Sequence, residues 1–422
     1  MVEIDFKAGD RVKLRLVTEE VEGQYVESSD AQIVLLKLES GYNIGIKKEN
    51  ILSSRKLPDK EEKIQEPRQQ RQSKNLPKIA IVVTGGTIAS KVSYKTGGVE
   101  PIENPQDFLD LYPEVEEIAE IKKLEMPFRM LSENMDSEHW INIAQTIKPL
   151  LEDSEIQGVI LTHGTDTLHY TAAALSFFLG RLNKPVVLTY SQKSIDRASS
   201  DAKLNLISAV KMALSDCAEV MLVGHGTTND DFCYALRGTK VKKMHSSKRA
   251  AFLPVNTEPL AKISKDKIEF LQKYNPRSDK KVEVDTSFTD KVALLKFYPG
   301  QDPSILDYYA LSYKGIVIEG TGLGHVAASG ANKSWLAALK KHIRNGLVVC
   351  MTSQTVFGRV DPYIYSAGRE ILDAGVIYLE DMLSETAFVK LGFVLGHAGW
   401  KVKAKEKMLQ NMAYELNQVH SS

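Results

Sequence analysis

Four continuous apolar segments, most of them followed by a turn rich in glycine or threonine, constrain the fold of this chain most strongly. Helical patterns at 167–182 and 202–215 lie between successive segments. Strands without polar alternation are buried on both faces, which is typical of a parallel sheet covered by helices. Ligands of such sheets bind beyond the carboxyl ends of the strands, so the turns there are candidate sites. The four segments are residues 78–83, 158–162, 185–190 and 219–224.

A second α/β pattern follows a polar segment at 275–289, which we interpret as an inter-domain linker. Apolar strand patterns resume after it, and they predict a smaller α/β domain over residues 290–422. The larger domain then spans residues 77–274. Within the smaller domain, residues 403–417 carry apolar side chains at helical spacing and predict an amphipathic helix.

The first 55 residues have a different pattern, with short alternating runs of apolar and polar residues separated by turns. We predict a small β-barrel of the SH3-like kind over residues 1–55. It serves either as a docking or spacer module or as an RNA contact. Residues 56–76 contain two prolines, four glutamines and almost no apolar side chains, so they predict a flexible linker.

The overall composition excludes several classes of protein. The 54 acidic and 54 basic residues balance, which disfavours a globally basic nucleic-acid binder. Three cysteines without a CxxC pair favour neither a disulfide framework nor a structural zinc site. The acidic N-terminus lacks a signal-peptide core, and no apolar run is long enough to span a membrane. We therefore expect a cytoplasmic protein without membrane contact and without a metal or cofactor of its own.

Three short motifs carry the groups needed to attack and hydrolyse an amide: two hydroxyls, a carboxylate and an amine. They are TGGTIAS at 84–90, THGTDT at 162–167 and KMHSS at 243–247. In the first, two glycines before Thr87 allow a ligand to approach the backbone closely. A phosphate-binding turn is the alternative, but the motif has neither the Walker lysine nor a GxGxxG pattern.

The second and third motifs leave two questions open. Asp166 is a candidate cap for the helix that begins near Thr167 and a candidate clamp for a substrate ammonium group beside Thr165, and the two roles are compatible. The amine of Lys243, placed near Thr165, would accept a proton from a hydroxyl. Periodicity does not tell which of Lys240, Lys242 and Lys243 faces inward.

Together these motifs resemble, in the same order, the bacterial-type L-asparaginase and glutaminase family. The resemblance covers residues 77–400 and includes SENMDSEHW at 132–140. The stretches at 196–201 and 379–387 are similar to the cytoplasmic type I branch of that family. The resemblance implies an asparaginase-like fold of two α/β domains with mainly parallel sheets, assembled as an intimate dimer.

The resemblance also implies a threonine amidohydrolase and assigns roles to residues. Thr87 matches the nucleophile of the first motif, whereas Thr165, Asp166 and Lys243 match the second catalytic set. Backbone N–H groups near Gly86 are expected to stabilise the oxyanion. Tyr94 matches a lid tyrosine, although an ordinary loop aromatic is the alternative. Asn134 departs from the family pattern in the substrate-binding segment. The residues implied in substrate binding are Gly86, Ser132, Glu133 and Gly164.

A β-module and linker in front of such an amidase resemble the D subunits of archaeal glutamyl-tRNA(Gln) amidotransferases. This resemblance implies hydrolysis of glutamine, with asparagine as the alternative substrate, and transfer of ammonia to a partner, the E subunit. The partner would use ATP and Mg to amidate Glu-tRNA(Gln), within a heterotetramer built on a homodimer core. A free cytoplasmic L-asparaginase and a non-catalytic ligand-binding scaffold are the alternatives.

Overall fold

A computed structural model describes most residues of the chain. The predicted linker falls largely on residues 59–75 and Tyr94 falls within 93–98, so both lie outside the described residues. The described residues are 5–17, 19–28, 30–38, 43–58, 76–92, 99–102, 108, 111–195, 197 and 199–417.

The N-terminal module is a five-stranded antiparallel sheet with the strand order β4-β3-β2-β1-β5. Alternation along the strands places Val12 and Leu14 of β1 in a small core with Val34 and Leu36 of β3. The small β-module predicted from the sequence is therefore present. Its strands are β1 (Arg11–Leu16), β2 (Glu20–Val26), β3 (Ile33–Lys37), β4 (Asn43–Lys47) and β5 (Ile51–Lys56).

The larger domain contains a mixed eight-stranded sheet, a separate hairpin formed by β7 and β8, and a second hairpin formed by β14 and β15. Its helices are α1 (Ser137–Glu152), α2 (Leu168–Phe178) and α3 (Ala202–Ala213). Its strands are β6 (Lys78–Val83), β7 (Ser90–Val92), β8 (Val99–Pro101), β9 (Glu120–Glu125), β10 (Ile156–Thr162), β11 (Val186–Thr189), β12 (Val220–His225), β13 (Cys233–Arg237), β14 (Val241–Lys243), β15 (Phe252–Pro254), β16 (Ala261–Ile263) and β17 (Ile268–Phe270).

The centre of the eight-stranded sheet is parallel, as the apolar segments predict. Strands β9, β6, β10, β11 and β12 run parallel, whereas β13, β16 and β17 continue the sheet antiparallel at one edge. Two apolar cores cover its faces, one against α1 and α2 and the other against α3. The carboxyl ends of β6 and β10 therefore lie side by side, and the threonine motifs follow both strands.

The smaller domain has an entirely parallel four-stranded sheet in the order β18-β19-β20-β21. This confirms the predicted fold class of a β-module followed by two α/β domains with mainly parallel sheets. Its strands are β18 (Val292–Lys296), β19 (Gly315–Gly320), β20 (Val348–Ser353) and β21 (Ile377–Tyr378), and its helices are α4 (Ile305–Ser312), α5 (Leu336–Arg344), α6 (Ser366–Asp373), α7 (Ser384–Gly396) and α8 (Ala404–Leu409).

The amphipathic helix expected over residues 403–417 is wrong in extent, because α8 ends at Leu409. The buried amine of Lys390 donates hydrogen bonds to the carbonyl oxygens of Met408, at 2.8 Å, and Gln410, at 2.6 Å. It also forms a fully buried ion pair with Glu415. Since these contacts satisfy the carbonyl groups at the end of α8, the chain turns away there instead of continuing as a helix.

Helix α7 joins the smaller domain to the larger one by packing on α2. The rings of Phe177 and Phe393 stack with centroids 6.0 Å apart, and Tyr170 meets Phe388 edge to face at 6.1 Å. This places the first turn of α7 close to the carboxyl edge of the large sheet. Among the described residues, the helices are too short or too polar to cross a membrane.

Candidate active site

The first motif forms a tight turn directly after β6. Gly85 and Gly86 have φ angles of +112° and +80°, which favour glycine. A Cβ atom on Gly86 would lie 2.5 Å from the backbone nitrogen of Gly164, so the first and second motifs touch through their backbones. Thr87 follows immediately, in a 3-10 helix over Thr87–Ala89, and is half-buried. The close glycine contact therefore brings Thr87 to the same edge of the sheet as Thr165.

The turn after β10 is held by a buried histidine. The Nδ1 atom of His163 donates to the carbonyl oxygen of Gly164 at 2.7 Å, and Nε2 lies 2.8 Å from the hydroxyl of Thr171. Complete burial lowers the pKa of His163 to about 4. The imidazole is therefore neutral near pH 7 and orients the turn that presents Thr165.

Lys243 joins the second and third motifs. Its Nζ atom donates to Thr165 Oγ1 and to Asp166 Oδ1, both at 2.7 Å. The lysine side chain is only 10% exposed, whereas the aspartate is 63% exposed. A shielded amine is thus in direct contact with a hydroxyl and an exposed carboxylate. This arrangement supplies the amine, hydroxyl and carboxylate that proton transfer during amide hydrolysis requires.

The structure answers which of Lys240, Lys242 and Lys243 faces the site. Lys240 pairs with Asp381 at 2.6 Å, and Lys242 pairs with Glu385. Both partners belong to the smaller domain, so Lys243 is the lysine of this run that contacts Thr165. The prediction that Asp166 caps a helix is wrong, because Thr167 holds the N-cap position of α2.

Of the residues expected to bind substrate, Ser132 lies against the second motif. It begins a 3-10 helix over Ser132–Asn134, and a Cβ atom on Gly164 would lie 2.9 Å from its Oγ. Thr167 Oγ1 donates to the carbonyl oxygen of Ser132 at 2.7 Å. Gly164 and Ser132 are thus adjacent, whereas Glu133 is exposed on the same turn. The binding roles of these residues stay predictions.

Two residues near the site were given no role by the sequence prediction, and one predicted residue lies outside the described ranges. Tyr94 is that predicted residue, so its lid role stays a prediction. Thr167 and Glu385 had no role in the sequence prediction, although Thr167 bonds to Ser132 and Glu385 pairs with the neighbour of Lys243. The stretch at 379–387, similar to the type I asparaginases, was the available signal for Glu385.

The asparaginase fold is matched over both α/β domains. The family described as "Asparaginase, N-terminal" matches residues 78–276, and the "Glutaminase/Asparaginase C-terminal domain" matches residues 291–409. The solved L-asparaginase of Thermococcus kodakarensis is 30% identical and superposes with a TM-score of 0.72, over 81% of this chain and 100% of that chain. L-asparaginase I of Vibrio cholerae is 28% identical, with a TM-score of 0.69 over 81% and 99% of the two chains. Fold and site together define an asparaginase-like protein.

The N-terminal module separates this chain from those asparaginases. A third family, described as "GatD N-terminal domain", matches residues 6–56. The D subunit of the glutamyl-tRNA(Gln) amidotransferase of Pyrococcus furiosus is 49% identical, over 92% of this chain and 89% of that protein. The Pyrococcus abyssi protein of the same name is 45% identical over 98% and 96%. The chain belongs to the family of glutamyl-tRNA(Gln) amidotransferase D subunits.

Proposed function

We propose that this chain is the glutaminase component of a tRNA-dependent amidotransferase. The observation that carries the proposal is the contact of the Lys243 amine with both Thr165 and Asp166, 2.7 Å in each case. These three residues belong to a chain that is 49% identical to the D subunit of a glutamyl-tRNA(Gln) amidotransferase. The hydrolysis supplies ammonia for the conversion of Glu-tRNA(Gln) to Gln-tRNA(Gln).

The reaction proceeds through a threonine ester. A threonine hydroxyl, with Thr87 as the first choice, attacks the side-chain carbonyl carbon of glutamine and gives up its proton. The amide nitrogen gains a proton and leaves as ammonia. Water then attacks the ester, which releases glutamate and restores the hydroxyl. Lys243 and Asp166 move the protons, Thr165 positions the water or the nucleophile, and backbone N–H groups near Gly86 stabilise the oxyanion.

The remaining parts of the proposal concern the assembly. A partner, the E subunit, binds ATP and Mg, activates the glutamate of Glu-tRNA(Gln) and receives the ammonia. Two copies of this chain form a homodimer core within a cytoplasmic heterotetramer. No cofactor is assigned to this chain. Ser132, Glu133, Gly86 and Gly164 contact the amino-acid substrate, and Tyr94 closes over it.

A free L-asparaginase is the second candidate, favoured by the likeness to the solved L-asparaginase of Thermococcus kodakarensis, with a TM-score of 0.72. The deciding experiment measures ammonia release from glutamine and from asparagine. It uses the chain alone and then the chain with the partner protein, Glu-tRNA(Gln) and ATP. We expect slow glutamine hydrolysis alone and a strong rise with the complete set. Fast asparagine hydrolysis that ignores the partner would support the free asparaginase instead, and no release from a folded chain would support a non-catalytic scaffold.

The nucleophile is tested by trapping the ester. Rapidly quenched wild-type protein should carry a glutamyl group on the peptide containing Thr87, detected by mass spectrometry. T87A should abolish the ester, whereas T165A should slow its formation without abolishing it. T146A is the matched control, since among the described residues the Thr146 hydroxyl bonds only within α1, to Asn142. Loss of the ester in T165A alone, with an ester still formed in T87A, would reverse the assignment.

A further inference from the structure

The segment that carries Lys243 is held in place from the smaller domain. Residues 381–386, which we call the clamp, comprise the turn before α7 and the first turn of that helix. They contact residues 239–242, directly before Lys243. The proposed reaction gives these clamp residues no task, although they are almost entirely buried.

The start of the segment is fixed by two contacts. Lys240 and Asp381 form an ion pair of 2.6 Å with both side chains at most 8% exposed. The hydroxyl of Thr386 donates to the carbonyl oxygen of Thr239 at 2.9 Å. Breaking a buried ion pair from one side is costly, so this part of the clamp is an anchor.

The contact nearest to the site is the ion pair between Lys242 and Glu385. Successive side chains of a strand point to opposite faces. On β14, Lys242 therefore faces the clamp while its neighbour Lys243 faces Thr165 and Asp166. A shift of the β14 backbone at Lys242 would also move the adjacent Lys243 and its amine.

The carboxylate of Glu385 compensates the positive charge of Lys242. The nearby imidazole of His169 is buried, and burial lowers its pKa to about 4, so it is neutral near pH 7. Neither His169 Nδ1 nor the second carboxylate oxygen of Glu385 has a hydrogen-bond partner among the described residues. Two lysines follow each other on β14, and Glu385 binds one ammonium group while Asp166 binds the other.

We propose that Glu385 is a positioning residue for the amide hydrolysis. Its ion pair with Lys242 holds β14 so that the Lys243 amine stays within hydrogen-bond distance of Thr165 and Asp166. The smaller domain thereby sets the geometry of a site built by the larger one. This inference rests on the proposed function, and it predicts a loss in the chemical step with little change in substrate binding.

The kinetic test compares E385Q with wild-type protein in steady-state ammonia release from glutamine. A displacement of about 1 Å near a reacting group costs up to about 10²-fold in rate, so we expect kcat to fall by about tenfold or more. KM should stay within about twofold, because the proposed role gives Glu385 no contact with substrate. The exchanged pair K242E/E385K should recover most of kcat. If E385Q does not fold, K242Q carries the same test, since Lys242 is the more exposed partner.

A matched control separates positioning from general docking of α7. Asp285 and His397 form an ion pair of 2.7 Å next to the far end of the same helix. D285N should lower thermal stability while kcat stays within about twofold of wild type. An equal loss of kcat in D285N and E385Q, or a kcat of E385Q within about twofold of wild type, would overturn the inference.

A structural readout keeps this inference separate from the proposed function. In a crystal structure of E385Q, we expect the distance from Lys243 Nζ to Thr165 Oγ1 to exceed about 3.2 Å, beyond an ordinary hydrogen bond. An unchanged distance of 2.7 Å would refute the positioning role even if wild-type protein releases no ammonia. Absence of ammonia from the wild-type complex would refute only the proposed function.

Discussion

The two α/β domains have similar parallel sheets but use the carboxyl ends of their strands differently. After β10 of the larger domain, Thr165 and Asp166 bind the Lys243 amine, and Asp166 is 63% exposed. At the end of β20 in the smaller domain, the hydroxyl of Ser353 donates to the carbonyl oxygen of Gly322 at 2.6 Å. The side-chain amide of Gln354 donates to the carbonyl oxygens of Phe297 and Glu319.

The difference shows that strand topology alone does not make a site. In the smaller domain the polar groups are engaged by backbone carbonyls and stabilise loops. In the larger domain the polar groups bind one another, and the Asp166 carboxylate remains exposed. Function therefore depends on which polar atoms remain available at the sheet edge and not on the fold they share.

The largest expected effect is the loss of the amine from the larger domain. K243M removes the only group that contacts both Thr165 and Asp166 among the described residues, so we expect ammonia release to fall by about 10²–10⁴-fold. Steady-state kinetics with glutamine and the complete complex would measure it. K401M on the exposed surface of the smaller domain is the control. Full activity of K243M would contradict a catalytic role for this amine, and with it the difference drawn between the two domains.

The next effect contrasts two glycines with positive φ. In G86A the new Cβ would meet backbone atoms of His163 and Gly164 within 2.6 Å, so strain and overlap together should cost about 3 kcal/mol of stability. Gly322 of the smaller domain also has positive φ, but nothing lies within 4 Å of its Cβ position. G322A should therefore cost only about 1 kcal/mol. Urea unfolding measures the loss of stability in both variants. Equal losses in G86A and G322A would contradict the prediction.

A smaller effect is the acid sensitivity of the larger domain. His163 and His169 have pKa values lowered by burial from 6.5 to about 4. Between these values the unfolded chain binds more protons than the folded one, so the free energy of unfolding falls as the pH drops from 6.5 to 4. Each histidine contributes about 1.4 kcal/mol per pH unit in that window. H169F should flatten the dependence measured by urea unfolding between about pH 7 and pH 5, and an unchanged slope would contradict the assignment.

The smallest effect concerns the sheet edge of the smaller domain. S353A removes one hydrogen bond to the carbonyl oxygen of Gly322, which should cost about 1 kcal/mol of stability. Ammonia release should stay at the wild-type level below the melting temperature. Thermal unfolding and the kinetic assay together test both statements. A loss of activity in the folded S353A protein would show that this edge takes part in the site.

Much of the fold could be predicted because buried parallel strands leave an unambiguous pattern. The apolar segment at 158–162 became β10 (Ile156–Thr162), and the helical pattern at 202–215 became α3 (Ala202–Ala213). The tail at 403–417 could not be predicted in the same way. Its helical spacing is real, but the buried Lys390 and Glu415 end the helix at Leu409 through contacts that are distant in sequence.

For the candidate site, too, one part could be predicted from the sequence and another part could not. The residue types and their places after strands were readable from the chain, since Thr87 and Thr165 follow adjacent apolar strands whose carboxyl ends must meet at one edge. The sequence did not predict which of Lys240, Lys242 and Lys243 faces the site. Alternation makes Lys242 and Lys243 face opposite ways, but only the folded positions of Asp381 and Glu385 decide which way is inward. Those carboxylates are about 140 residues further along the chain, and local periodicity carries no information about a partner that tertiary packing brings alongside.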